Sequence, residues 1–454
     1  MSTTGTLHFI GIGGIGMSAI ARILLARGQA VTGSDVSESP LLEELRELGA
    51  SIAVGHDVKN VNGARAVVVS SAIDAENPEY RRAAEQGIPI IRRGEMLRRI
   101  MDGCSGIAIC GTHGKTTTTA MTSAILREAN IDASLVLGGI DVNTGTNAHN
   151  GSAPWFLTEA DESDGSFSLL EPTIAVVTNV ENDHLSSDAE LPKLIASFDR
   201  FLAGLPQDGA AIVGIDNPQS RAIAASLREA RTVTFGIAED ANVHAANIRF
   251  ANLGSTFDVI AGGVCLGTVQ LGVPGAINIE NALAAIAVGR ALEVPFVKIA
   301  RALSQFRGVR RRFEILAKTP RMIVVDDYAH HPTAVRATIA AARQYHRGPV
   351  IVAFQPHRYT RTAYLGAAFV DALRAADEVY LAPVYAASEP PIEGVSERTI
   401  GEPLQAGGTP VHYVKYVHDL RSLLQAQAPP DALLLMLGAG NITKVARDLA
   451  HDLA

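Results

Sequence analysis

The stretch GIAICGTHGKTTTTAM, residues 106–121, restricts the fold more than any other part of the chain. An apolar run passes into a turn bounded by glycines, and the turn opens into a segment that begins with lysine and threonine. A strand that hands a tight turn to a helix N-terminus is the building step of parallel α/β sheets. The stretch GIGGIGMS at residues 11–18 repeats the same order of parts. There LHFIGI (7–12) reads as a buried strand, GMSAIARILLAR (16–27) carries apolar side chains at helical spacing, and QAVTGSD returns as a strand ending in an acid. That βαβ unit requires a parallel sheet.

At 454 residues the chain exceeds what one core organises. The alternation continues through ARAVVVSSAI and GIPIIRR to about residue 103, and the second α/β region opens with the 106–121 stretch. Residues 231–272 alternate with many glycines and valines, which predicts a small antiparallel excursion, followed by the helix NIENALAAIAVGRAL. A third region begins near 309, with MIVVDDYAHHP, PVIVAFQPHRYTRT, EVYLAPVY and ALLLMLGAGN as strands that end in polar or glycine residues. The expectation is three consecutive α/β domains, at 1–103, 104–308 and 309–454.

Composition narrows the partners. Apolar residues make up 47% and charged residues 19%, with a net charge of -8, and the basic residues gather only in RGVRRR at 307–312, which disfavours nucleic acid. The three cysteines, Cys104, Cys110 and Cys265, have no paired or CxxC spacing, as expected of reduced thiols in a cytoplasmic protein. The N-terminus lacks a basic leader, and no apolar run approaches the roughly 18 to 20 residues of a membrane helix.

In the 111–117 turn, backbone N–H groups can wrap phosphate oxygens, Lys115 can reach the outer phosphates and Thr116 can offer its hydroxyl to magnesium. Ile109 stands where the general GxxxxGK[ST] form has its first glycine, so the turn is tighter. The plainer reading is a capped helix start. Gly11, Gly13 and Gly16 fit GxGxxG, with Asp35 at the end of the next strand, where a ribose-binding acid belongs. Three readings of that loop stand: a nicotinamide dinucleotide, another diphosphate nucleotide, or close packing alone.

EADESD at 159–164 and NVENDH at 179–184 follow apolar strands and would face the same crevice as Lys115 and Thr116, as magnesium ligands or as solvated acids. DDYAHHP (326–332) and FQPHRYTRT (354–362) put histidine and arginine at strand ends, where guanidinium forks suit carboxylates and phosphates.

HFIGIGGIGMSAIA, GTHGKTTTTAM, EADESDGSF, TNVENDH, RRFE, DDYAHHPT, FQPHRYTRT and GAGNI follow one another in the order of the Mur ligases of peptidoglycan synthesis. The resemblance runs from about residue 7 to 445, and GIGGIGMS with HHP and PHRYTRT is most similar to the alanine-adding branch. It implies a Rossmann-like N-terminal domain for a UDP-sugar, a central P-loop ATPase domain and a Rossmann-like C-terminal domain that closes over both and presents the amino acid. It further implies that ATP phosphorylates the lactyl carboxylate of UDP-N-acetylmuramate and that L-alanine attacks the acyl phosphate.

Residue by residue, the resemblance implies an ATP site of Gly111, Thr112, His113, Gly114, Lys115, Thr116 and Thr117, with Asn278, Asn281 and Asp326. The UDP-sugar would meet Gly11, Gly13, Gly14, Gly16, Asp35, Ser70 and Ser71. Mg2+ would be held by Thr116, Glu159 and His184, with Glu159 preferred to Glu162. His357, Arg358 and Arg361 would hold the alanine carboxylate, with His330 nearby; Lys115, Glu159, His184, His330 and Arg358 would carry the chemistry. The chain departs from the family pattern at Ile277, where relatives carry histidine, and at LSSDAEL after NDH; ASFDRF (196–201) lacks the lysine of sister ligases that add later residues.

Overall fold

The computed structural model describes residues 5–70, 72–162, 165–182, 190–227, 231–251 and 253–453. They form two compact units: Met1–Val180 with Leu194–Thr234 and Ala284–Ile299, and Glu181–Lys193 with Phe235–Leu283 and Ala300–Ala454.

The first unit contains two parallel layers. Strands β1 (Thr6–Ile10), β2 (Val31–Asp35), β3 (Ser51–Val54), β4 (Ala64–Val69) and β5 (Ile90–Arg92) lie in the order β3-β2-β1-β4-β5. The order reverses between β1 and β4, and in such sheets ligands gather beyond the strand ends at that reversal. Helices α1 (Ile15–Ala26), α2 (Pro40–Glu47), α3 (Pro78–Glu85) and α4 (Arg93–Met101) make the connections. Their starts follow from local chemistry: Asn77 accepts from the N–H groups of Glu79 and Tyr80, and Pro78 takes the first helical position, where a missing N–H costs nothing.

The second layer has β6 (Ser105–Cys110), β7 (Ser134–Val136), β8 (Ala148–His149), β9 (Trp155–Glu159), β10 (Ile174–Val177) and β11 (Ala210–Gly214), ordered β11-β10-β6-β9-β7-β8. Its buried strands are parallel, and only β8 runs against its neighbour. Helix α5 (Lys115–Glu128) begins with four consecutive threonines, Thr116 to Thr119, all buried. Crowded β-branched residues disfavour a helix. Here hydroxyls bond back into it, Thr119 to the Lys115 carbonyl at 2.9 Å and Thr122 to that of Thr118 at 2.8 Å, so the helix can pack polar residues against the sheet.

The first α/β region lies in the first unit and the third in the second, while the middle region contributes to both. Arg27, just after α1, donates to Ile100 O within the first region at 2.7 Å and to Asn150 Oδ1 of the second at 2.9 Å.

In the second unit, strands β13 (Val243–Ala251), β14 (Gly254–Ala261) and β15 (Val264–Leu271) form the expected antiparallel excursion, reached from β12 (Thr232–Gly236). Gly262 and Gly263, both at positive φ, close the β14–β15 hairpin in the two-residue turn that matches strand twist. The last region is a sheet of β16 (Glu314–Lys318), β17 (Met322–Asp327), β18 (Val350–Phe354), β19 (Glu378–Leu381), β20 (Val411–Tyr413) and β21 (Ala432–Leu437), ordered β16-β17-β21-β18-β19-β20. It is parallel apart from its edge strand β16. Apolar clusters cover both faces, which explains the unbroken apolar run ALLLML of β21. Among the described residues no helix is long and apolar enough to cross a membrane.

Leu435 lies fully buried at the centre of this sheet. Leu435→Ala is expected to cost about 2–5 kcal/mol and Leu435→Met under about 1.5 kcal/mol, read from urea midpoints of unfolding.

Candidate active site

The turn after β6 is fixed from the neighbouring strand end. Thr112 N–H donates to Asn179 O at 2.9 Å, and His113 N–H donates to Asn179 Oδ1 at 2.8 Å. The His113 carbonyl in turn accepts from Thr178 Oγ1 at 2.6 Å and Asn179 Nδ2 at 3.1 Å. Gly111 sits at φ 118°, and a Cβ there would lie 2.3 Å from Thr178 Oγ1, so only glycine fits. Gly114 follows in left-handed geometry and leads into α5 at Lys115. Thr112, Thr116 and Thr117 are buried around the turn.

Lys115 curls back over this loop. Its Nζ donates to Gly111 O at 2.6 Å and lies 2.9 and 3.0 Å from the two carboxylate oxygens of Glu162. Burial opposes the ammonium charge, but Glu162, Asp161 and Glu159 outweigh it and raise its pKa above the ordinary lysine value. Glu159, at the end of β9, takes the other side: Oε2 accepts from Thr116 Oγ1 at 2.9 Å, and Oε1 accepts from Gly138 N–H. Lys115, Thr116 and Glu159 are thus brought together. Asp161 stands 3.6 Å from Arg93 at the start of α4. His184 and Asp164 lie outside the described residues.

The glycine loop after β1 lies at the sheet reversal. Gly11 and Ile12 N–H groups both donate to Ser34 O, at 2.8 and 3.0 Å, and Gly14, with extended backbone, precedes α1. Ser70, at the end of β4, faces the loop, its Oγ 3.8 Å from where a Gly11 Cβ would sit. Arg93 flanks Gly16, with Nη1 3.6 Å from the equivalent point. Asp35 turns inward, accepting from Gly13 N–H at 2.9 Å and Val36 N–H at 2.8 Å, so its carboxylate closes the loop. Ser71 lies outside the described residues.

The second unit gathers the remaining candidates. Asn278 donates to Pro274 O at 2.7 Å and accepts from Asn281 at 3.0 Å. Asp326, fully buried, accepts from Thr443 Oγ1 at 2.5 Å; burial raises its pKa against the pull of Arg311 and Arg447. Its neighbour Asp327 accepts from the N–H groups of Phe313 and Ala329, both at 2.7 Å, and burial pushes it up to about 6. Phe313, bound in this way, and Arg311, whose N–H donates to Glu314 Oε2 at 2.9 Å, both sit at positive φ, a conformation costly for residues with side chains. As a result, the guanidinium groups of Arg311 and Arg312 lie 4.9 and 5.0 Å from the Tyr328 ring centre.

His357 is the hub of a cluster with His330, Arg361 and Tyr385. Its ring stacks on Tyr385 at 5.4 Å, meets His330 edge-on at 5.8 Å and lies 3.4 Å from Arg361 Nη1. Arg358, exposed and at φ 73°, opens the helix Tyr359–Leu373. Burial first, then Arg361 and Arg358, lower the His357 pKa to about 4. His357 is therefore neutral at pH 7, and the fixed positive charge of the cluster belongs to Arg358 and Arg361.

Comparison with known proteins bears on this geometry. Residues 6–104 match the Mur ligase family catalytic domain, 109–289 the Mur ligase middle domain and 311–440 the Mur ligase glutamate ligase domain. The chain belongs to the Mur ligase family. It is similar to the UDP-N-acetylmuramate–L-alanine ligase of Desulforamulus reducens, 44% identical with 98% of this chain and 97% of the relative covered. That of Desulfosudis oleivorans is 43% identical over the same shares. Among solved structures, the UDP-N-acetylmuramate–alanine ligase of Thermotoga maritima superposes with a TM-score of 0.86 at 29% identity, covering 99% of both chains.

In this Mur ligase, sequence reasoning overlooked the residues that hold the loops. Thr178 and Asn179 are legible only as a polar pair ending the apolar run IAVV, and Arg93 as a basic residue after IPII. The 138–147 segment offered no signal beyond its glycines. Two outcomes are expected. Gly111→Ala should abolish nucleotide binding in calorimetry. The His357 ring should titrate by NMR near pH 4, and since the unfolded chain binds that proton near 6.5, stability should fall as pH drops through this window.

Proposed function

We propose that this chain is an ATP-dependent ligase that joins L-alanine to the lactyl carboxylate of UDP-N-acetylmuramate, a step of peptidoglycan precursor synthesis in the cytoplasm. The observation that carries the reading is the pair of phosphate-type turns in the first unit, with Lys115 and the Thr116–Glu159 pair at the second. The relatives' names supply the substrates.

Chemically, the reaction must make a poor acyl donor reactive. A lactyl carboxylate oxygen attacks the γ-phosphorus of ATP, the bond to the β-phosphate oxygen breaks and ADP leaves. The alanine nitrogen then attacks the acyl carbon, loses a proton and expels phosphate, leaving an amide. Two anions must approach each other in the first step, so fixed positive charge is the main requirement. Lys115, held charged, supplies it beside backbone N–H groups of the turn and the start of α5.

Mg2+ fits the donor set: Thr116 Oγ1 and Glu159 Oε2 are oxygen ligands 2.9 Å apart at the same turn. When bound, the ion would neutralise phosphate charge. His184 is proposed as a further ligand from its motif alone. Gly11, Gly13, Gly14, Gly16, Asp35 and Ser70, with Ser71 from its motif alone, take the UDP-sugar, and Arg93 adds a cation there. Asn278, Asn281 and Asp326 serve the nucleotide; Arg358 and Arg361 hold the alanine carboxylate, and His357 and His330 contribute hydrogen bonds. The domain boundaries of this reading fall near residues 103 and 308.

ADP release is expected only when UDP-N-acetylmuramate, L-alanine and a divalent cation are all present. Mass spectrometry of the product should show one added alanine even when a tripeptide competes; a peptide adduct or full ATP turnover without alanine would refute the reading. Lys115→Ala should lower kcat by roughly a hundredfold or more.

A further inference from the structure

A continuous set of hydrogen bonds runs from one phosphate-type turn of the first unit to the other, and its middle member is Asn147. At the nucleotide end, Thr116 Oγ1 donates to Glu159, whose other oxygen accepts from Gly138 N–H. A Cβ on Gly138 would lie 2.8 Å from that carboxylate, so the main chain reaches Glu159 only because residue 138 is glycine. The preceding residue, Leu137, donates its N–H to Asn147 O at 2.9 Å. From there the Asn147 side chain crosses to the first region: Nδ2 donates to Ile15 O at 2.8 Å and lies 3.0 Å from Ser18 Oγ. Ile15 is the residue between Gly14 and Gly16, and Ser18 itself donates back to Ile15 O at 3.0 Å.

Asn147 is fully buried, and among the described residues its Oδ1 has no hydrogen-bond partner. A buried amide is costly to keep, so the two bonds its Nδ2 makes to α1 are what the position gains from it. Three residues on, Asn150 bonds Arg27 at the far end of α1, on the exposed surface. Both asparagines hold α1, but only Asn147 touches the end that carries the glycine fingerprint.

We propose that Asn147 is a positioning residue for the sugar-nucleotide loop: it fixes the Ile15 carbonyl and the first turn of α1 relative to the Glu159 side of the nucleotide turn. The N–H groups of that turn are thereby set for a diphosphate. This rests on the reading that the glycine loop takes the UDP-sugar.

Calorimetry on the full-length protein tests it, with UDP-N-acetylmuramate and ATP titrated separately into wild type, Asn147→Ala, Asn147→Leu and Asn150→Ala. Leucine fills the volume of the amide without its donors, which guards against a variant that fails to fold. The Asn147 variants should bind the sugar nucleotide about tenfold more weakly, with ATP affinity within about twofold of wild type. In turnover, the KM for the sugar nucleotide should rise with kcat nearly unchanged, and Asn150→Ala should match wild type in both. Equal weakening of both ligands, an Asn150→Ala that matches the Asn147 variants, or an unchanged sugar-nucleotide affinity in a folded Asn147→Leu would overturn the inference. Failure of the wild type itself to bind UDP-N-acetylmuramate would instead overturn the functional reading.

Discussion

The clasp of Thr178 and Asn179 on the turn after β6 is the constraint on which the first unit depends. The N–H groups of Thr112 and His113 are already engaged in holding the turn's shape, through bonds to a partner outside the turn. That partner is the end of the adjacent parallel strand, whose last residues supply three side-chain bonds and one main-chain bond to residues 112 and 113. The sheet order puts β10 next to β6, and this adjacency is what makes the clasp possible. Conformational cost is met before any ligand arrives, which is the physical meaning of preorganisation.

The second unit uses a different device. Its strand ends hold backbone in unfavourable conformations, with Arg311, Phe313 and Arg358 all at positive φ. Glu314 accepts from the Arg311 N–H and buried Asp327 from the Phe313 N–H, and the pairing of His357 with Tyr385 secures the third: Arg358 N–H donates to Tyr385 O at 2.8 Å. Strain of this kind persists only where surrounding contacts over-determine it.

Much of this was legible in the sequence, and the limit has a physical cause. Local patterns reveal local structure, so the apolar runs, the glycine turns, the antiparallel excursion at 243–271 and the lysine at the start of α5 could all be read directly. Side chains whose role depends on a distant partner could not. Asp35 is legible as a strand-end acid, but its bond to Gly13 N–H within the loop is not. Glu162 looks like one of several interchangeable acids, but its distance to Lys115 sets it apart from Glu159. The neutrality of His357 follows from burial among arginines contributed by one helix start, which no linear motif records.

The pairing of Lys115 with Glu162 has its own corollary. The ammonium already has a carboxylate companion, so on the proposed reading a phosphate reaching Lys115 would displace that carboxylate instead of meeting a bare cation. Net gain then depends on how far the newcomer exceeds a single negative charge, and a polyphosphate tail wins that exchange where a weakly charged competitor does not. On that reading, the resting contact would favour ligands by their valence.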